Sequence, residues 1–201
     1  PNNHIGYRNT AGIYYIIGDI ENAITYSKSA IAIKPSDRAY SNLGTMLFSL
    51  KQYKAAIDHY KKAIALNDQY YIYWGNLADA YKLTDNEGQT LAFSNAADGA
   101  QKMLKIDPND SFVKANLSYY LASLEKTEAS LFYANQINQH HSGMENFIVA
   151  TAYDRLEMMN DAIKHIKWSI EKSYPIEEIK NTPLIVNSRK VPDFQQLISD
   201  G

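Results

Sequence analysis

A helical pattern that returns about every 33 residues constrains this chain more than any other feature. Ala23, Ile24, Tyr26, Ala30, Ile31 and Ile33 lead to Pro35, and Ala56, Ile57, Tyr60, Ala63, Ile64 and Leu66 lead to Asp68, with Ala23 and Ala56 standing 33 positions apart. One helical hairpin of that length cannot bury its apolar face alone, so hairpins stack and each leans on its neighbours. Such an array presents an extended surface, which points to binding rather than catalysis.

The 201 residues are 45% hydrophobic and 21% charged, the balance of a globular chain with a sizeable core, and an array of this length is one continuous body. Lys and Arg number 20 against 22 Asp and Glu, and a net charge of −2 supplies no field for steering nucleic acid. There is no apolar run long enough to span a bilayer and no basic-then-apolar leader, so no membrane contact is expected of this segment. With no cysteine, a disulfide framework, a thiolate zinc site and a cysteine nucleophile are all excluded. The compartment stays open between the cytoplasm, which is preferred, and the periplasmic part of a membrane-anchored protein.

The first half of the recurring unit is clearest as Trp74-x-x-Leu77-Ala78-x-x-Tyr81. This resembles the W-x2-L-G-x2-Y signature of the tetratricopeptide repeat, with Ala in place of Gly. The resemblance implies an all-α, right-handed superhelical solenoid of antiparallel helix pairs. Its small residue lets paired helices approach closely while the large ones fill the groove between hairpins.

Reading outward from that anchor predicts five hairpins at about 4–35, 37–68, 70–108, 110–141 and 143–174, followed by a capping segment at 175–201. Tyr7, Thr10, Ala11 and Tyr14 open the first, with Gly18-Asp19 as its turn; Tyr40, Leu43, Gly44 and Leu47 open the second. The third is six residues longer, the extra length falling near Thr84–Gly88. The fourth holds Leu117, Leu121, Leu124, Ala129 and Tyr133, and the fifth Val149, Ala150, Tyr153, Leu156, Ala162, Ile166 and Ile170. After Pro175 two short helices, near 176–179 and 192–198, are expected as a cap. Pro1 stands ten residues before Ala11, as Pro108 does before Ser118, so it reads as the closing proline of a preceding repeat in a longer protein. An uncovered first hairpin would then associate weakly with a second copy. The long third hairpin and the tail are similar to repeat arrays at the C-terminal end of multidomain bacterial regulators, whose partner domains include kinases, nucleotide cyclases and winged-helix DNA-binding domains.

In the family the first helix of each hairpin lines the concave face. Carried onto this chain, the residue just before the Leu position is Asn9, Asn42, Asn76 and Asn116, and the run breaks at Ile148. A primary amide both donates and accepts, so it can hold an extended peptide backbone without reading its sequence. This resembles the asparagine ladder of the long-array glycosyltransferases that modify serine and threonine. Arg8, Arg38, Thr45, Phe48, Asp79, Lys82, Phe112, Tyr119 and Phe147 are further inward candidates. The Lys/Asn/Lys/Arg carboxylate clamp of the chaperone-binding members is missing, and the aromatic content suits an apolar segment or amphipathic helix.

Most of the 16 tyrosines fall at packing positions, whereas Tyr70, Tyr71 and Tyr73 suggest a surface site at the entry to the third hairpin. His140 and His141 are adjacent and do not converge as an i, i+4 pair would, so no metal site is expected. No phosphate loop or G-x-S-x-G elbow is present, and no cofactor is implied. The sequence therefore reads as a non-catalytic protein- or peptide-binding scaffold, with a sensory or regulatory domain of a larger signalling protein as the alternative.

Overall fold

The structure, a computed structural model, describes residues 3–199, so Pro1 and the inference drawn from it lie outside the described residues. Two compact units divide between Ala92 and Phe93, and every regular element among the described residues is helical. The first unit holds α1 (His4–Ile16), α2 (Ile20–Ile33), α3 (Asp37–Ser49), α4 (Tyr53–Leu66) and α5 (Tyr71–Lys82). In it α1 packs on α2, α2 on α3, α3 on α4 and α4 on α5, so each helix leans on the next in sequence. Helix α6 (Gln89–Ile106) begins in the first unit and runs on into the second. The second unit continues with α7 (Ser111–Ser123), α8 (Thr127–Ala134), α9 (Gly143–Arg155) and α10 (Met159–Glu171). It ends with α11 (Ile176–Asn181), a 3₁₀ turn (Ser188–Lys190) and α12 (Pro192–Ser199).

Helix starts follow from side chains that satisfy free backbone N–H groups. Asn3, Asp19, Ser36, Asp110 and Ser142 accept from Gly6, Asn22, Ala39, Val113 and Glu145 respectively. Helix ends follow a repeated backbone device. The residues after α1, α3, α5, α7 and α9 with positive φ are Gly18, Lys51, Asp85, Glu125 and Glu157. In each case the next residue's N–H reaches the carbonyl five positions back: Asp19 to Tyr14, Gln52 to Leu47, Asn86 to Tyr81, Lys126 to Leu121 and Met158 to Tyr153. This is the Schellman closure, and it turns the chain straight into the next helix.

Small residues sit where helices come closest. Ala11, Ala23, Ala56, Ala63 and Ala78 are fully buried, and a Cβ on Gly44 would lie 2.6 Å from the ring of Tyr60. In the fourth hairpin Ala129, part of the pattern expected there, is exposed. Ser130 is buried instead and donates 2.8 Å to the Ser118 carbonyl. A polar small residue facing another one hides the contact from a search for apolar positions. Tyr71 and Tyr73, expected with Tyr70 at a surface site, are both buried; of the three only Tyr70 is exposed.

The tail closes the second unit. Ile179, Ile185 and Phe194 are fully buried against Phe147, Ala150 and Ile166, each large side chain contributing about 2 kcal/mol. Asp154, at the end of α9, accepts the backbone N–H groups of Val186 (2.8 Å), Asn187 (3.1 Å) and Ser188 (2.6 Å). Arg189 donates in turn to the carbonyls of Ile179, Thr182 and Ile185. Two side chains thus satisfy backbone groups in and beside the irregular stretch between α11 and α12, where Ile185 and Ser188 are buried.

Candidate functional site

Helices α1, α3 and α5 carry the first unit's share of the expected binding face. On α1 Asn9 is exposed and Arg8 half-buried; on α3 Arg38 and Asn42 are exposed. Thr45 is half-buried, donating to the Ser41 carbonyl (3.2 Å) and accepting from the Tyr60 hydroxyl (3.4 Å). Phe48 packs edge-on against Tyr53 with ring centres 5.2 Å apart. On α5 Asn76 and Lys82 are half-buried, and Asp79 is buried. Three amides of the expected row therefore remain reachable in this unit.

The second unit treats its share differently. Asn116 is 7% exposed; its Nδ2 donates 2.8 Å to the Phe112 carbonyl and its Oδ1 accepts 3.3 Å from Tyr120. Its amide is spent within its own helix. The cause is the helix itself, since every residue from Ala115 to Ala122 is buried, so α7 has no solvent face at that register. Tyr119 is buried too and accepts 3.0 Å from Arg155, whose guanidinium lies 5.5 Å from the ring centre. Phe147 stacks on Tyr174 at 4.6 Å as part of the core beneath the tail. Of the expected residues here only Phe112 is exposed, and Met144, at the same register of α9, is exposed with it.

Two polar arrangements escaped sequence reasoning. Asp37 accepts from Asn67 and Tyr73 in the first unit. In the second, Glu145 closes a capping box with Ser142 and accepts from Ser111 as well. Burial raises the affinity of both carboxyls for a proton, but the hydrogen bonds they accept outweigh it and hold both below their ordinary range. The Ser142-x-x-Glu145 spacing was the available signal for the second; nothing in sequence marks the first. Among the described residues no group of three or more His, Asp or Glu side chains could hold a metal ion, and no helix is long and apolar enough to cross a membrane.

On α1 the rings of Tyr7 and Tyr14 lie 6.0 and 5.2 Å from Tyr26. Tyr7 is nevertheless exposed, and Ile5, Ile13, Ile16 and Ile17 are exposed with it, Ile16 at 83%.

Comparison with known proteins agrees with this geometry. Two patterns described as tetratricopeptide repeat match residues 9–37 and 38–70. A curated relative, small glutamine-rich tetratricopeptide repeat-containing protein 2 of Mycosarcoma maydis, is 35% identical over 68 residues. That match spans 33% of this chain and only 19% of the relative's length. TTC0263, a thermophilic TPR protein of Thermus thermophilus, shares the fold with a TM-score of 0.62 at 16% identity, covering 98% of this chain and 97% of its own. The pilF structure from Pseudomonas aeruginosa superposes with a TM-score of 0.56 at 16% identity, covering 98% of this chain and 87% of its own. YrrB, described as a TPR protein with an unusual peptide-binding site, gives 0.50 at 17% identity over 94% of this chain and 93% of its own. Repeat period, close-packed small residues, all-helical fold and matched patterns converge: residues 9–70 match the tetratricopeptide repeat, and the chain has the fold of tetratricopeptide repeat proteins.

Proposed function

We propose that this chain is a non-catalytic binding module that holds an extended or amphipathic peptide segment of another protein on the first-helix face of its N-terminal unit. The observation that carries this reading is the contrast between Asn9, Asn42 and Asn76, which are reachable, and the neighbouring positions Ala11, Leu43 and Leu77, which are buried. Reachable amides on a rigid helical scaffold form a backbone-reading surface, each contributing about 0.5–1.5 kcal/mol as a neutral hydrogen bond. Arg8 and Arg38 lie beside them and add positive charge, while Ile72 is half-buried and offers an apolar contact. The binding surface reported in the description of YrrB supports peptide recognition by this fold in general.

A displayed library of random 12-residue peptides, selected against the folded chain, tests the reading. Enrichment of peptides that bind the parent and lose affinity for Asn9→Ala/Asn42→Ala is the expected result. Enriched peptides whose affinity is indifferent to both changes would move the binding site elsewhere.

A further inference from the structure

Beneath the α8–α9 connection, residues 135–142, two buried polar side chains meet. Asn146 on α9 is fully buried, and its Nδ2 donates to the carbonyls of Asn138 (3.0 Å), His141 (3.3 Å) and Ser142 (3.1 Å). Three carbonyl acceptors on one side of the amide fix its orientation, so Oδ1 must face His165 Nδ1, 2.9 Å away on α10. An acceptor at that place requires Nδ1 to carry the proton, and the neutral ring therefore has its lone pair on Nε2. His165 is 3% exposed, with the rings of Tyr153 and Trp168 at 5.3 and 4.8 Å.

The charged groups around the ring do not favour a second proton. On α10 itself Lys164 repels one, and Asp161 acts on Tyr153 of α9. Glu145, the residue next to Asn146, is engaged by Ser111 and Ser142, and His141 of the connection acts on Glu145. Among the described residues no carboxylate lies within ion-pair distance of the His165 ring.

We propose that Asn146 and His165 form an acid-released latch, closed on the α8–α9 connection while the ring is neutral and opened when the ring takes a second proton. An imidazolium in this site would be a buried charge without a counterion, which a closed latch does not tolerate. Burial, with Lys164 adding to it, pushes the ring down to about 4. In the opened state the ring meets water and titrates near its ordinary value of about 6.5. The closed form therefore excludes a proton that the open form binds, and the ratio of open to closed rises about tenfold per pH unit as pH falls from about 6.5 to about 4. Release frees the first turn of α9, so acidification acts on that end of the second unit. Glu145, held below its ordinary range, stays ionised between pH 7 and pH 5 and does not contribute there.

Amide exchange at pH 7 and pH 5, corrected for intrinsic rates, tests the latch. The His141 and Asn146 amides, bonded to the carbonyls of Asn138 and Ser142, should lose about 20-fold in protection at pH 5, with the helices of the first unit unchanged. In His165→Gln, whose side-chain amide still donates but does not titrate, protection should be the same at both pH values. Equal protection at both pH values in the parent, or the same loss in His165→Gln, would overturn the proposal. If that variant does not fold, imidazole NMR of the parent decides: a His165 midpoint below 5 supports the latch, and one near 6.5 refutes it.

Discussion

The Tyr73 hydroxyl donates a 3.0 Å hydrogen bond to Asp37 Oδ2, tying the first turn of α5 to the first turn of α3 across 36 positions of sequence. The same oxygen accepts Asn67 Nδ2 at 3.0 Å, from the residue that ends α4. One carboxylate therefore fastens the start of a hairpin, its end and the start of the next. The bond raises the Tyr73 phenol, already pushed up by burial, and helps hold Asp37 down. Tyr73→Phe is expected to lower stability by about 1.5–3 kcal/mol in urea unfolding, the range for a hydrogen bond to a charged group. Asp37→Asn should cost a similar amount, and the double variant less than the sum of the two.

Much of the helical layout was legible because apolar side chains recur with helical period and because Trp74, Leu77, Ala78 and Tyr81 carry the repeat signature. What failed depended on the partner that each side chain meets. Tyr71 and Tyr73 look like surface aromatics until Asp37 and the neighbouring helices cover them. Asn116 shares its register with Asn9 and Asn42, yet α7 is buried at every residue from Ala115 to Ala122 and takes its amide inward. Ser130 replaces Ala129 because the Ser118 carbonyl offers a hydrogen bond. Register is written in sequence; burial is decided by neighbours that sequence does not list.

The hairpin turns show the same division. Only Gly18 announces its left-handed conformation, while Lys51, Glu125 and Glu157 adopt φ near 60° with a side chain that disfavours it. Lys51→Gly and Glu157→Gly are each expected to raise stability by about 0.5–1 kcal/mol, the relief of strain exceeding the added chain entropy. Gly18→Ala should lower it by about 1 kcal/mol. Thermal unfolding followed by circular dichroism checks all three.

Asp154 anchors the tail through three backbone N–H groups, and Asp154→Ala leaves all three without that acceptor, the Ser188 donor buried and the other two part-buried. The expected cost is about 3 kcal/mol or more. Limited proteolysis should cut the variant between Thr182 and Lys190 under conditions that leave the parent intact. Asp154→Asn, which retains one acceptor oxygen, should fall between the two.

The isoleucines on α1 make a testable surface for the 201-residue chain. With Ile13, Ile16 and Ile17 exposed together, weak self-association is expected, since an open apolar stripe on stacked helices attracts a partner. Light scattering over a concentration series should show a mass increase that Ile13→Lys/Ile17→Lys removes and Tyr14→Phe leaves unchanged.

Binding through the first-helix face of the N-terminal unit is the claim on which the account rests, and chemical-shift mapping tests it most directly. A selected peptide titrated into the ¹⁵N-labelled chain should shift the amides around Arg8, Asn9, Arg38, Asn42, Thr45 and Asn76, while Asn116→Ala lowers stability without changing affinity. Shifts confined to the outer residues of α2 and α4, such as Lys28, Lys54 and Lys61, with the α1, α3 and α5 residues unmoved, would contradict it.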